Sequence, residues 1–175
     1  MLGKRNIYLV GPMGTGKTAV GKALARLIGA PFADSDAEIA RHAGVDIPYI
    51  FDQEGEAGFR RRECEALAEL CSRDPLVMAT GGGAILAPEN RELLKATGVV
   101  VYLHTSAAQQ LQRVGTGRGR PMLQGADIAQ RLQELSRVRE PLYRQIADIT
   151  VSTDGRRVPK VADLIMRELG LTRRS

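Results

Sequence analysis

The chain has 175 residues, of which 43% are hydrophobic, and it carries a formal net charge of +5. This length is typical of one domain, and this hydrophobic content argues against a disordered protein. No apolar run approaches the ~20 residues that a membrane-spanning helix needs, and the stretch before the first predicted strand leaves no room for a signal peptide. We therefore expect a single soluble, cytoplasmic domain over residues 1–175 with no membrane partner.

The positive charge and the two cysteines narrow the class of protein further. The arginines fall in short clusters within glycine-rich or motif-like stretches, and only 4% of residues are aromatic. An enzyme that gathers anionic small molecules explains this balance as well as nucleic-acid binding does, so we expect no nucleic-acid partner. Cys64 and Cys71 fall on one predicted helix, about 10 Å apart along its axis. They are too far apart for a disulfide, which fits a reducing compartment.

Strand-like and helical segments alternate along the chain. Short apolar runs predict strands at residues 6–10, 76–80, 99–103 and 149–152, with a short one near 31–33. Helical periodicity covers residues 16–28, 35–43, 57–73, 89–97, 106–113, 127–137, 140–147 and 159–169. Runs such as 99–103, which are apolar throughout, suit parallel strands covered on both faces. The pattern predicts an α/β fold with three α/β/α layers and a central parallel sheet of about five strands.

The first predicted strand leads into Gly11-Pro-Met-Gly-Thr-Gly-Lys-Thr18, which fits the phosphate-binding loop pattern G-x-x-x-x-G-K-[ST]. Such a loop points backbone N–H groups at phosphate oxygens, and the helix that follows adds the positive end of its dipole. Lys17 is expected to reach the β- and γ-phosphates, and the Thr18 hydroxyl to bind Mg²⁺. The residues predicted to bind the nucleotide are Gly14, Thr15, Gly16, Lys17, Thr18 and Ala19.

Two carboxylates follow the second predicted strand, in Phe32-Ala-Asp-Ser-Asp36. Ligands of open α/β sheets bind at the carboxyl ends of the strands, so Asp34 is a candidate for holding Mg²⁺ through water. Asp36 is a candidate for accepting a proton from a substrate hydroxyl. A helix also begins here, and helix capping by either residue is the alternative interpretation.

Two further stretches contain residue types that bind anions. The helix near residue 60 carries three consecutive arginines, which point in different directions around the axis. Arg60, which follows Phe59, is the best candidate for holding a carboxylate, whereas Arg61 and Arg62 fit a solvated face. Three glycines follow the next apolar run, and their bare backbone permits close approach of a ligand; they are Gly81, Gly82 and Gly83.

In this order the phosphate-binding loop, Asp34-Ser-Asp36, Gly55-Glu-x-x-Phe-Arg60-x-x-Glu63 and Gly81-Gly-Gly83 resemble the shikimate kinase family. The resemblance covers about residues 6–165. It implies a P-loop kinase fold with a mobile lid, and a domain with a shikimate-binding subdomain at about 34–62 and a lid at about 114–126. It also implies transfer of the ATP γ-phosphate to the 3-hydroxyl of shikimate, with Mg²⁺, on the route to chorismate and the aromatic amino acids.

The resemblance assigns roles to residues one by one. It implies that Lys17, Asp36 and Arg120 are catalytic, that Thr18 and Asp34 bind the metal, and that Arg113, Arg120, Arg156 and Pro159 bind ATP. The substrate-binding set that it implies is Asp36, Arg60, Gly81, Gly82, Gly83 and Arg139. Arg120 belongs to the glycine-rich lid sequence Arg113-Val-Gly-Thr-Gly-Arg-Gly-Arg-Pro-Met-Leu, in which methionine replaces the leucine usual after Arg-Pro.

Other functions stay open from the sequence. Another small-molecule kinase of the same branch, for gluconate or a nucleotide, would share the phosphate-binding loop, because a fold does not fix a function. A non-catalytic ATP-sensing module would bind ATP without turnover. A GTPase is disfavoured, because the chain lacks the Asn-Lys-x-Asp guanine signature. We expect a monomer whose lid and substrate loops have free surface to move.

Overall fold

The computed structural model describes residues 6–115, 121–123 and 127–173. Its strands are β1 (Asn6–Val10), β2 (Phe32–Asp34), β3 (Val77–Ala79), β4 (Gly98–His104) and β5 (Ile149–Ser152). Its α-helices are α1 (Lys17–Ile28), α2 (Ser35–Ala43), α3 (Ile47–Cys71), α4 (Pro88–Thr97), α5 (Ala107–Val114), α6 (Ile128–Ile146) and α7 (Val158–Glu168). Short 3₁₀ turns span Ala84–Leu86 and Pro121–Leu123.

The five described strands form one sheet in the order β2-β3-β1-β4-β5, and every pair is parallel. Because side chains alternate along a strand, Ile7 and Leu9 of β1 face one core, and Tyr8 and Val10 face the other. The first core lies against α1 and α7, and the second against α3, α4 and α6. The predicted three-layer parallel fold is therefore confirmed.

Element α3 consists of two helical parts that meet at a kink at Gly55; the second corresponds to the helix predicted at 57–73, and the first was not predicted. It begins at Ile47, where the Asp46 side chain accepts a hydrogen bond from the Tyr49 amide, and its backbone leaves helical geometry at Gly55 (φ 69°, ψ −177°). The glycine hid the first part of the helix from the periodic pattern. Cys64 and Cys71 both lie on α3 and are unbonded thiols.

Helix α6 is continuous, whereas two helices were predicted at residues 127–137 and 140–147. Pro141 lies inside it, although proline removes one backbone donor and normally kinks a helix. The helix continues because a single stripe along it is buried, formed by Leu132, Arg139, Tyr143 and Ile146. That stripe places Arg139 and Tyr143 against the carboxyl edge of the sheet. No helix in the described ranges is long and apolar enough to cross a membrane.

Candidate active site

A groove of about 390 Å³ lies over the phosphate-binding loop, which connects β1 to α1. Its walls come from the loop, from the carboxyl ends of β2 and β3, and from α5. The predicted nucleotide-binding residues Gly14, Gly16, Lys17, Thr18, Ala19 and Arg113 line it. Thr15 is 1% exposed and donates its hydroxyl hydrogen bond to the Pro12 carbonyl, so its side chain supports the loop from inside.

Two cations meet the phosphate-binding loop from different sides. Lys17 Nζ donates to the carbonyl oxygens of Gly11 and Pro12, each at 2.8 Å. Arg113 donates from α5 to the Gly14 carbonyl at 3.1 Å and to the Thr153 hydroxyl at 3.2 Å. Both side chains thus lie at the place where phosphates would bind, and each donates to at least one backbone carbonyl of the loop. An anionic ligand would offer each cation a stronger, charge-assisted partner.

Thr18 and Asp34, the two predicted metal ligands, lie side by side. The Thr18 hydroxyl donates to Asp34 Oδ2 at 2.7 Å, while Asp34 Oδ1 accepts hydrogen bonds from the amides of Asp36 and Ala37. Asp34 therefore caps α2, as the alternative interpretation held, and still presents its second oxygen to the groove. A hydroxyl and a carboxylate oxygen are hard donors of the kind that Mg²⁺ prefers. These two side chains fit a magnesium ion.

A second cavity, of about 150 Å³, opens beside the groove. Asp36, Met13, Gly81 and Gly82 line both spaces. The second cavity is further lined by Ile47, Phe51, Phe59, Arg60, Glu63, Gly83, Pro121, Met122 and Arg139. The sequence predicted Asp36, Arg60, the three glycines and Arg139 as one substrate site, and the fold brings them together. Asp36 lies at the junction of the two spaces, where a transferred group would pass.

Arg139 is the most unusual group in this cavity. It is 4% exposed, and burial lowers the pKa of its guanidinium group from its ordinary value, although not far enough to discharge it. Within the described residues no carboxylate lies within 4 Å of its guanidinium nitrogens. A buried charge without a counter-ion is costly, and the cost is removed when an anion enters. An anion entering the cavity would therefore be favoured over a neutral molecule.

Arg60 lines the same cavity as Arg139 and is held in place by other residues of α3. Its Nη1 donates to Glu63 Oε1 at 2.8 Å, and its guanidinium group lies 5.2 Å from the centre of the Phe59 ring. Glu63 is 1% exposed, and its Oε2 atom has no hydrogen-bond partner among the described residues. Burial raises the pKa of Glu63 to about 7, and this effect outweighs the opposing attraction of Arg60.

We expect Glu63→Gln to abolish a pH dependence of stability that the wild-type protein shows. A carboxyl group whose pKa is raised from 4.5 to about 7 on folding stabilises the folded state below pH 4.5. This contribution, on the order of 3 kcal/mol, is lost as the pH rises from 4.5 through about 7. Urea denaturation at pH 5 and pH 8 measures the difference in the free energy of unfolding. Glu65→Gln, an exposed change on the same helix, is the control; an unchanged pH slope in Glu63→Gln would contradict the assignment.

Gly81 and Gly83 make room for substrate-site side chains. A Cβ atom added at Gly81 would lie 2.7 Å from Asp36 Oδ1, and one added at Gly83 would lie 2.4 Å from Arg60 Nη2. Real Cβ atoms do not tolerate such distances, so glycine is required if Asp36 and Arg60 are to occupy these positions. The run of glycines therefore serves the neighbouring side chains as well as any ligand.

Gly83→Ala is expected to raise the KM for the acceptor about tenfold by displacing the Arg60 guanidinium group. The fold should tolerate the change, because the end of a long flexible side chain is what must move. Steady-state kinetics in an Arg60→Ala background provide the decisive comparison. If Arg60 transmits the effect, Gly83→Ala has little further consequence there; a full tenfold effect without Arg60 would rule out this explanation.

Some predicted residues lie away from the groove or outside the described ranges. Arg120 lies outside the described residues, as does much of the lid predicted at 114–126, and their assignments stay predictions. Arg156 donates to the Ser152 carbonyl at 2.7 Å, and neither Arg156 nor Pro159 is among the residues that line the nucleotide groove. To bind ATP, Arg156 and Pro159 would have to contact an adenine base that extends beyond the groove.

Two residues at the site were missed by the sequence analysis. The Ser35 hydroxyl accepts a hydrogen bond from the Gly81 amide at 2.9 Å, and the Tyr143 hydroxyl donates to the Gly82 carbonyl. The Gly81 amide is thus already occupied by a protein partner, although Gly81 was predicted to bind substrate. Ser35 lies between the two aspartates, and Tyr143 lies four residues after Arg139. This proximity to predicted site residues was the sequence feature that could have indicated both.

Several known proteins with similar sequences and structures are kinases, as the two adjoining spaces of this site suggest. A model of the shikimate kinase family matches residues 13–170. A curated shikimate kinase from Methylococcus capsulatus is 55% identical over 153 residues, which cover 87% of this chain and 86% of the relative. Another from Halorhodospira halophila is 55% identical over 163 residues, covering 93% and 92%. The solved structure of a shikimate kinase from Acinetobacter baumannii in complex with shikimate is 50% identical, with a TM-score of 0.93 and coverage of 95% and 93%.

A phosphate-binding loop at the carboxyl edge of a parallel sheet, next to a separate acceptor cavity, defines a P-loop kinase. A gluconokinase from Sinorhizobium meliloti shares this fold at 19% identity with a TM-score of 0.60, which speaks to architecture only. The family match spans nearly the whole chain, and the curated relatives share more than half of its aligned residues. The chain belongs to the shikimate kinase family.

Proposed function

We propose that this protein transfers the γ-phosphate of ATP to the 3-hydroxyl of shikimate, giving shikimate 3-phosphate and ADP. The reaction is a step on the route to chorismate and the aromatic amino acids. The observation that carries the proposal is the buried Arg139, which faces Arg60 in a cavity and has no carboxylate within 4 Å among the described residues. Shikimate has the carboxylate that the two arginines need and the hydroxyls that reach toward Asp36.

The chain's own residues divide the work between the two spaces. Arg60 and Arg139 hold the acceptor's carboxylate, Asp36 and the Gly82 amide hold its hydroxyls, and the remaining walls exclude water. The acceptor oxygen then forms a bond to the γ-phosphorus while the bond from that phosphorus to the β,γ-bridging oxygen breaks. The hydroxyl proton passes to Asp36 or to the phosphate. Because phosphoryl transfer depends mainly on position and charge, Asp36 acts chiefly by placing the nucleophile.

On the nucleotide side of the site, cationic side chains lie where negative charge develops on the phosphate groups during transfer. Lys17 and Arg113 leave their backbone oxygens for phosphate oxygens, and the amides from Gly14 to Ala19 surround the phosphates. Thr18 and Asp34 would hold Mg²⁺, which when bound neutralises the β- and γ-phosphate oxygens. Arg120, in the proposed lid at 114–126, would complete the charge and exclude water. Arg156 and Pro159 are proposed for the adenine end, and we propose a cytoplasmic monomer.

The proposal is tested by ADP release from ATP and Mg²⁺ with shikimate, gluconate, AMP or no acceptor. We expect shikimate alone to stimulate release at least 100-fold over background, because its rigid ring sets the carboxylate and the 3-hydroxyl at one fixed separation, whereas gluconate is an open flexible chain and AMP has no carboxylate. Stimulation by gluconate or AMP instead would still identify the protein as a P-loop kinase but would reject shikimate as its acceptor. ATP binding without stimulation by any acceptor would favour a non-catalytic ATP-sensing module.

A further inference from the structure

Two buried hydroxyl groups hold the loop Gly81–Gly83, and the proposed chemistry uses neither of them. The Gly81 amide donates to the Ser35 hydroxyl oxygen at 2.9 Å, and the Tyr143 hydroxyl donates to the Gly82 carbonyl oxygen. Ser35 is fully buried and Tyr143 is 1% exposed. The loop is thus fixed from two directions, on its amide side by α2 and on its carbonyl side by α6.

Each hydroxyl belongs to an element that also carries an acceptor-binding residue. Ser35 immediately precedes Asp36 at the start of α2, and Tyr143 lies one turn after Arg139 on α6. An added Cβ at Gly82 would lie 3.4 Å from Arg139 Nη1 and 3.6 Å from the Tyr143 hydroxyl, which shows how closely these groups surround the loop. The two hydrogen bonds therefore fix the distance between Asp36, Arg139 and the glycine backbone.

The packing of Tyr143 does not require its hydroxyl group. Its ring stacks on Tyr102 with centroids 5.2 Å apart, and it belongs to the core that also contains Tyr8 and Ile146. Phenylalanine would keep both contacts. Burial raises the pKa of Tyr143 well above its ordinary value, so the hydroxyl stays protonated and able to donate throughout the physiological range. The hydroxyl can therefore be tested separately from the ring.

We infer that Ser35 and Tyr143 are positioning residues, which set the affinity for the acceptor by holding the Gly81–Gly83 loop against Asp36 and Arg139. This inference rests on the proposed function. A cavity of about 150 Å³ tolerates little error in the placement of its walls. Loss of either hydrogen bond frees one peptide of the loop to rotate, and the acceptor then has to restore the arrangement when it binds. Gly81 and Gly82 also line the nucleotide groove, but Lys17, Thr18 and Arg113 lie on other elements, so we expect a much smaller effect on the KM for ATP than on that for the acceptor.

The test is steady-state kinetics of Tyr143→Phe and Ser35→Ala, with shikimate and ATP varied separately at 10 °C and 25 °C. Tyr8→Phe is the matched control, because it also removes a buried tyrosine hydroxyl, whose partners near the amino ends of the strands are Thr97 at 2.8 Å and Asn6 at 3.0 Å. We expect the KM for shikimate to rise about tenfold in each site variant, with the KM for ATP within about twofold of wild type. Tyr8→Phe should lower the melting temperature without changing either KM.

Other outcomes would overturn the inference. A site variant that is less stable but keeps the wild-type KM for shikimate would show that its hydroxyl serves the fold alone. The same conclusion follows if a variant fails to fold even at 10 °C, or if both KM values rise equally. A wild-type enzyme that shikimate does not stimulate would reject the proposed function, whereas a stimulated wild type with unaffected variants would reject only the positioning role.

Discussion

Replacing Arg139 by methionine is expected to raise the KM for shikimate about 100-fold or more and to leave the KM for ATP nearly unchanged. The guanidinium group is buried at the wall of the acceptor cavity, so its removal leaves the acceptor's carboxylate without half of its positive partners. Methionine fills a similar volume and keeps the buried stripe of α6 apolar. Because it also removes a buried charge that no carboxylate of the described residues contacts within 4 Å, we expect the melting temperature to rise rather than fall.

This combination of greater stability and weaker acceptor binding separates a binding arginine from a structural one. Arg137→Met, an exposed change on the same helix, is the control and should alter neither property. Steady-state kinetics and thermal unfolding without ligand measure both effects. A fall in the melting temperature with an unchanged KM for shikimate would mean that Arg139 supports the fold instead. Comparison with the methyl ester of shikimate adds a check, because the variant should discriminate less between the acid and the ester.

Asp36→Asn is expected to lower kcat by about 100-fold or more while the KM for ATP stays within about twofold of wild type. Asparagine keeps the shape of the side chain and its place at the junction of the two cavities, but it carries no charge and accepts no proton. The acceptor hydroxyl is then neither oriented by an anion nor relieved of its proton as the new bond forms. Single-turnover measurements at saturating ATP and shikimate isolate this step from product release.

Asp52→Asn, at an exposed position on α3, is the control for the loss of one negative charge. Its kinetics should match those of the wild type. Near-normal turnover by Asp36→Asn would remove the residue from the mechanism. A large rise in the KM for ATP would instead place it on the nucleotide side of the junction, together with Asp34.

Arg139 is buried, and among the described residues no carboxylate lies within 4 Å of its guanidinium nitrogens, which gives the cavity a basis for selecting its ligand. A neutral molecule that enters would leave this charge without a close counter-ion, whereas a carboxylate would remove that cost. The unliganded protein would thus be less stable because of this buried charge, and binding of the acceptor's carboxylate would recover that free energy. Glu63 limits the repulsion between the two arginines of the cavity, because its carboxylate neutralises Arg60 whenever it is ionised. Acceptor selection and a local cost in stability would therefore have the same origin at this site.

Much of the site could be predicted from the sequence because its residues occur in short local patterns. Lys17 and Thr18 are fixed by the spacing of the phosphate-binding loop, and Asp36 follows directly from its position after β2. Arg60 could be separated from its two arginine neighbours only because it follows Phe59 in a motif of the family. These signals need no knowledge of contacts between distant parts of the chain.

The remaining features depend on contacts that no local pattern records. The partner of Tyr143 is 61 residues away and that of Ser35 is 46 residues away, so their hydrogen bonds appear only when α6 and α2 meet the glycine loop. The burial of Arg139, with no carboxylate within 4 Å among the described residues, is also a property of its surroundings, which sequence spacing does not reveal. The prediction of two helices in place of α6 was wrong because Pro141 is a local helix-breaking signal. The packing of the buried stripe outweighed that signal.

The most direct test of the central claim is the identification of the product by phosphorus and proton NMR after turnover with ATP, Mg²⁺ and shikimate. If Arg60 and Arg139 anchor the carboxylate while Asp36 receives the hydroxyl, one phosphate ester forms, and its coupling to a ring proton places it on the 3-hydroxyl. A phosphate on another hydroxyl would mean that the acceptor lies in a different orientation. Inorganic phosphate as the main product would contradict the claim that this cavity positions shikimate for transfer.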